Sequence, residues 1–165
     1  MDQEGVLEHL IHRLPAFHSN RIKQITKAPK LLLSDSALLA HLLRADRARL
    51  SDDDSLLGAA LECFVGMELA KQLSATSTRA SLRHVRTATG AEVDFVLEAP
   101  DGRLAAIEVK AAATVRAEDF KHLTRVRDSV GAERFVRGVV LYAGGERLPF
   151  GKQLEAWPLA TLWSA

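Results

Sequence analysis

Asp94, Glu108 and Lys110 are the residues whose types and spacing best support chemistry in this chain of 165 residues. They sit on two runs of alternating apolar residues, 90–98 and 103–110, joined by a Pro-Asp-Gly turn at residues 100–102. Such runs around such a turn predict a β-hairpin. Side chains alternate faces along a strand. Asp94 is therefore expected on one face with Glu92 and Val96, and Glu108 with Ala106 and Lys110. A solvent-facing sheet surface would hold these charges harmlessly, whereas a partly buried cluster would need a cation or other partners. Asp94 and Glu108 together offer hard oxygens that suit one Mg²⁺ or Mn²⁺. Such an ion polarises a phosphoryl group and lowers the pKa of a bound water. Lys110 would orient that water or stabilise negative charge in the transition state.

A third acid comes from the strongest helical pattern. Over residues 55–73, Leu57, Leu61, Val65 and Leu69 recur every four residues. Glu62 lies against this stripe, with Gly58 and Gly66 one turn to either side. Each glycine costs a helix ~1 kcal/mol relative to alanine, so the pair predicts either close packing or open space beside Glu62. In a site, Glu62 would hold the ion through water or accept a proton. On an exposed flank it would do neither.

The elements that must position these residues follow in order. Residues 2–9 read as a short helical piece and 10–17 as a strand. Residues 21–33 read as a hairpin whose tip gathers Arg21, Lys23, Lys27 and Lys30. That tip is either a wing lying on a phosphate backbone or a solvated hairpin with lysines guarding its edge. Asp35 caps a helix over 37–43. The polar run 44–54 reads as a linker or mobile loop that ends in caps for the next helix, so the division falls between residues 1–45 and 46–165. After the long helix come a strand at 81–87, the central hairpin, a helix at 117–130 stopped by Gly131, and a strand at 135–142 buried on both faces. A short strand pair and a terminal turn complete the chain. The order from residue 55 onward predicts a mixed α/β sheet, antiparallel through the hairpins and parallel where the second helix crosses over.

Composition excludes several classes. Hydrophobic residues make up 47% and charged residues 26%, which fits a globular domain and argues against disorder. The net charge of +1 does not announce a nucleic-acid binder, although a local basic patch is compatible with it. The single Cys63 excludes an internal disulfide and suits a reducing compartment. No run approaches the ~20 apolar residues of a membrane span, and the acidic start lacks a signal-peptide pattern, so a cytoplasmic location is expected. The histidines read as surface or packing residues, Cys63 as buried and inert, and Trp157 and Trp163 as closing the core near the C-terminus.

Asp94, then Glu108-Val109-Lys110 fourteen residues on, preceded by a helical Glu62, resembles the motif of the PD-(D/E)xK nuclease superfamily. Val93 stands where the motif name has proline. More narrowly, the chain resembles the C-terminal domain that follows a AAA-type ATPase module in a large prokaryotic family. The matching phrases run in order: Arg13-Leu14-Pro15, Lys27-Ala28-Pro29-Lys30, Asp35, Gly58, Leu61-Glu62, Phe64-Val65, Gly90 through Phe95, and Ile107 through Lys110. The resemblance implies a restriction-endonuclease-like αβββαβ core with a mixed central sheet, preceded by a partial winged-helix hairpin. It implies metal-dependent hydrolysis of DNA, with Asp94, Glu108 and Glu62 on Mg²⁺ or Mn²⁺ and Lys110 at the scissile phosphate. Arg86 and Arg83 would touch phosphates, and Lys23 and Arg21 on the wing would be second-line DNA contacts. The competing implication is a non-catalytic DNA- or protein-binding module switched by a neighbouring ATPase. No phosphate-binding loop of the Gly-x-x-x-x-Gly-Lys-Ser/Thr type occurs in the chain, so no ATP hydrolysis is expected from it.

Overall fold

The computed structural model describes residues 10–17, 26–88 and 90–164. The helical piece expected at 2–9 and the expected DNA contacts Arg21 and Lys23 lie outside the described residues. A small ribbon comes first, β1 (Ile11–Leu14) antiparallel to β2 (Lys30–Leu33). Three helices follow: α1 (Ser36–Leu42), α2 (Arg47–Asp52) and the long α3 (Asp54–Ala75). The main sheet then forms from β3 (Ser81–Arg86), β4 (Glu92–Glu98), β5 (Leu104–Lys110), β6 (Phe135–Tyr142), β7 (Leu148–Gly151) and β8 (Leu154–Pro158), with α4 (Lys121–Val130) between β5 and β6. Its spatial order is β3-β4-β5-β6-β8-β7. The pairs β3–β4, β4–β5 and β7–β8 are antiparallel, and β5–β6 and β6–β8 are parallel. The protein is thus a mixed α/β structure. Among the described residues, no helix is long and apolar enough to cross a membrane.

The sheet separates two apolar layers. On one side, Leu123, Val126 and Val130 of α4 pack with Val93, Val96, Leu104, Ala106 and Val140. On the other, Cys63, Val65 and Leu69 of α3 pack with Phe95, Ile107, Val139 and Leu141, and with Leu14 and Leu32 of the ribbon. The central strand β6 alternates between the layers, as expected of a strand covered on both faces. Buried Cys63 donates its thiol to the Leu33 carbonyl at 3.2 Å, and burial pushes that thiol up.

Two glycines frame Glu62, and they behave differently. A Cβ on Gly66 would lie 2.6 Å from Leu32 and 2.8 Å from Phe95, so this glycine lets the ribbon and β4 close onto α3. Gly58 has open space around its missing Cβ. Both expectations for the pair hold, one at each position.

Three expectations need correction. The run 44–54 is not simply a linker, because residues 47–52 form α2. Asp46 caps that helix, accepting from the Arg49 amide at 2.8 Å, while Asp53 at the end of the run caps α3 as expected, accepting from the Ser55 and Leu56 amides. Strict alternation fails in β4. Arg83 pairs with Val96 but Val85 pairs with Val93, so Asp94 and Phe95 together oppose the single residue His84. This is a β-bulge. It sends Val96 into the α4 layer with Val93 and frees Asp94 from the face it was expected to share with Val96. Trp163 does not close the core. It is 53% exposed, rests on the Phe64 ring at 5.6 Å and donates to Glu68.

The packing around the two glycines is testable by denaturant unfolding. Gly66→Ala is expected to lower stability by about 1–3 kcal/mol through overpacking against Leu32 and Phe95. Gly58→Ala is expected to raise it by up to about 1 kcal/mol, since only helix propensity changes there.

Candidate functional site

Lys30 opens β2, across the ribbon from Leu14. It shares a strand face with Leu32, and Leu32 is buried against α3 while Leu31 between them is 60% exposed. The Lys30 stem therefore enters the protein, passing over the Phe95 ring with the ammonium 6.0 Å from the ring centre. There the ammonium meets three acids from two elements. Its Nζ lies 2.5 Å from Glu62 Oε1 on α3, 2.7 Å from Glu92 Oε1 on β4 and 3.5 Å from Asp94 Oδ1 on β4. The three acids each present an oxygen, and these oxygens all lie within 4.8 Å of one another.

Asp94 is the hinge of the arrangement. Its Oδ2 accepts a hydrogen bond of 2.9 Å from the Val109 amide. The β4–β5 pairing runs from Glu98↔Leu104 to Phe95↔Ile107, so this side chain takes over where the two strands stop pairing. Glu108 stands behind it, hydrogen-bonded to Asp94, with its Oε1 buried and without a partner among the described residues. Burial first, and the Asp94 charge second, push the Glu108 carboxyl up to about 10. At neutral pH Glu108 therefore carries a proton and can donate it to Asp94.

The charges around Lys30 are mutually supporting. Burial alone would pull its ammonium down, but the charges of Asp94 and Glu62 and the hydrogen bonds to Glu62 and Glu92 outweigh it and hold Lys30 above the ordinary lysine value. Glu62 is raised by burial and by the Asp94 charge, despite the pull of Lys30. Burial also opposes ionisation of Glu92, yet Lys30 and Arg86 bring it below the ordinary value. His84 is buried, with Nε2 3.2 Å from the Ala28 carbonyl; burial and then the Lys30 charge lower it, so it stays neutral.

The expected site residues divide as follows. Glu62 and Asp94 meet in one cluster, and Glu108 joins it through Asp94. Lys110 shares the Glu108 face, as alternation expects, but its amine pairs with Asp119 in the short 3₁₀ turn Ala117–Phe120 before α4. Arg86 borders the cluster: its Nε is 3.7 Å from Glu92 Oε2, and it lines a cavity of about 300 Å³ together with Lys30 and His84. Arg83 is engaged elsewhere, 3.3 Å from Glu98 at the far end of the β3–β4 pair.

Two members of the cluster were not among the expected site residues. Alternation puts Glu92 on the Asp94 face but gives it no role. Composition groups Lys30 with the basic tip of a hairpin, and only Lys27 of the two described lysines fits that picture, being exposed. The signal for Lys30 was its position two residues before Leu32 in a short apolar strand, which directs it to the covered side of the ribbon.

The family model described as "Domain of unknown function (DUF4143)" matches residues 57–162, which is most of the chain and includes Glu62, Glu92, Asp94, Glu108 and Lys110. The chain belongs to the DUF4143 family. Similar curated proteins include one uncharacterised protein of Mycobacterium bovis and one of Mycobacterium tuberculosis. Each is 27% identical over 150 residues, covering 90% of this chain and 32% of the relative. The chain thus matches about a third of the length of those relatives. No solved structure matches it. In this DUF4143 chain Lys30 lies N-terminal to the matched residues, so the acid cluster is completed by a cation from outside them.

The Glu108 carboxyl yields a pH prediction. Its folded-state value of about 10 lies above its ordinary value of 4.5. Between those two pH values the folded chain binds a proton that the unfolded chain releases, so this contribution to stability falls as pH rises. Glu108→Gln removes it while keeping a donor toward Asp94. Urea titrations from pH 5 to pH 9 are expected to show the variant gaining on the wild type as pH rises. Parallel stability curves would contradict a protonated Glu108.

Proposed function

We propose that this domain binds a divalent cation, Mg²⁺ or Mn²⁺, at the Glu62–Glu92–Asp94 cluster and hydrolyses phosphodiester bonds of DNA. The observation that carries the reading is the convergence of three carboxylate oxygens within 4.8 Å, drawn from a helix and a bulged strand. Hard oxygen donors of this kind fit Mg²⁺ and Mn²⁺, and the partnerless Glu108 Oε1 behind Asp94 adds a further oxygen in need of a partner. The order α3, β3, β4, β5, α4, β6 supports a restriction-endonuclease-like core, the architecture of the PD-(D/E)xK nucleases that the sequence resembles.

Asp94, Glu62 and Glu92 would hold the ion, and when bound it would polarise the scissile phosphoryl group and lower the pKa of a bound water. The chain's own residues supply the rest. The Val109 amide orients Asp94, and Glu108 holds a proton that it can give or take at Asp94. Lys110 serves the transition state by exchanging Asp119 for the phosphate. Arg86, 61% exposed along its side chain, neighbours the cluster and suits a backbone phosphate, with Arg21 and Lys23 as further contacts. Arg83 would reach DNA only by leaving Glu98. Attachment to a AAA-type ATPase module is part of this proposal, and the relatives' length beyond the matched third leaves room for one.

A second reading has its own support. With Lys30 inside the acid cluster and Lys110 bound to Asp119, both amines are already engaged. That favours a non-catalytic module that binds DNA or a protein partner. Cleavage assays on single-stranded, duplex and branched DNA separate the two. Hydrolysis is expected with Mg²⁺ or Mn²⁺ and lost with chelator. Asp94→Asn is expected to reduce it at least ~100-fold with thermal stability retained. DNA binding without cleavage by the wild type would establish the module reading instead.

A further inference from the structure

Lys30 is a cation held where the proposed function needs one. Its Nζ contacts all three carboxylates of the cluster at 2.5, 2.7 and 3.5 Å, and only 14% of its side chain is exposed. Three carboxylates against the Lys30 ammonium and the Arg86 guanidinium, 3.7 Å from Glu92, leave the cluster under-neutralised, so a divalent ion in place of the ammonium would satisfy it better. The ammonium and the ion cannot share the same oxygens, because two cations at hydrogen-bond or ligand distance from one set of acceptors repel. The ammonium has somewhere to go. Lys30 also lines the cavity of about 300 Å³ that it shares with Arg86, His84 and Thr26. Its backbone stays fixed meanwhile by the Leu14 pairing and by buried Leu32.

We propose that Lys30 is a tethered competitor for the metal: its ammonium fills the acid cluster until a divalent ion displaces it, and the displaced side chain swings into the cavity beside Arg86. The inference rests on the metal reading of the same cluster. It makes the β1–β2 ribbon the element that sets ion affinity, and it couples ion loading to the appearance of a second cation beside Arg86. Two cations lining one cavity suit a phosphate group, so loading the ion would complete the anion-binding side of the site.

The test is calorimetric titration of Mn²⁺ into the wild type and Lys30→Met, which keeps the stem and removes the charge. If the ammonium occupies the cluster in nine molecules of ten or more, its removal tightens apparent binding at least about tenfold. A parallel Mg²⁺ titration follows the Lys30 side-chain ammonium in ¹H–¹⁵N spectra of the wild type, assigned by through-bond correlation along its own side chain. That signal is expected to shift with the same midpoint as ion binding, and this arm stands even if the variant does not fold. Tighter binding by Lys30→Met supports the inference, including the case in which only the variant binds. Binding by the wild type that Lys30→Met leaves unchanged or weakens overturns the inference and leaves the metal site standing, as does an unmoved ammonium signal at saturation. Absence of binding by both proteins overturns the metal reading and the inference together.

Discussion

Three carboxylates cannot be packed beside one another without a positive charge, and that constraint governs this structure. Two like charges 4 Å apart repel by about 4 kcal/mol at the effective dielectric of a protein surface. Three acids within 4.8 Å generate three such terms. The Lys30 ammonium, closer to each acid than that spacing, supplies attractions of similar size and opposite sign. Glu108 resolves the remaining conflict differently. It lies deeper, forms no ion pair among the described residues, and keeps its proton. One cluster thus shows both ways a buried acid is tolerated, by an ion pair and by neutralisation.

The fold prepares this site by parting layers that elsewhere are closed. Gly66 brings α3 against Leu32 and Phe95, which draws the ribbon, the helix and β4 together. The bulge at Asp94 and Phe95 then uses that closeness, filling the α3 layer with the phenyl ring while the carboxylate goes to the rim. Where β4 and β5 stop pairing, the Asp94 carboxylate takes over the Val109 amide. The site therefore sits at a break in the backbone ladder, the place where a sheet can offer side chains to a ligand without losing a strand.

Much of the architecture was legible beforehand because its signals are local. The period of leucines and valines announces α3, the Pro-Asp-Gly turn announces the β4–β5 hairpin, and the β-branched and aromatic run of residues 135–142 announces a strand covered on both sides. Misreadings arose where a local signal has two meanings. Asp46 reads as loop composition, yet it caps a helix, because the carboxylate that favours a turn also accepts the free amides of a first turn. Trp163 is large enough to suggest core, but it follows the 3₁₀ turn Leu159–Leu162 and finds its partners on the surface of α3.

By itself the sequence determined the kinds of element, their order and the chemical types available: acids on a helix and a hairpin, amines nearby, and an apolar pattern that forces a mixed sheet between two helical layers. It could not determine which amine serves which acid. Lys110 stands two residues from Glu108 and goes to Asp119, while Lys30, far away along the chain, goes to Glu62, Glu92 and Asp94. That choice belongs to the tertiary structure because ion pairing depends on separation in space and on burial. Both are set here by a glycine contact, a one-residue bulge and the docking of a short ribbon, none of which has a periodic trace in the chain.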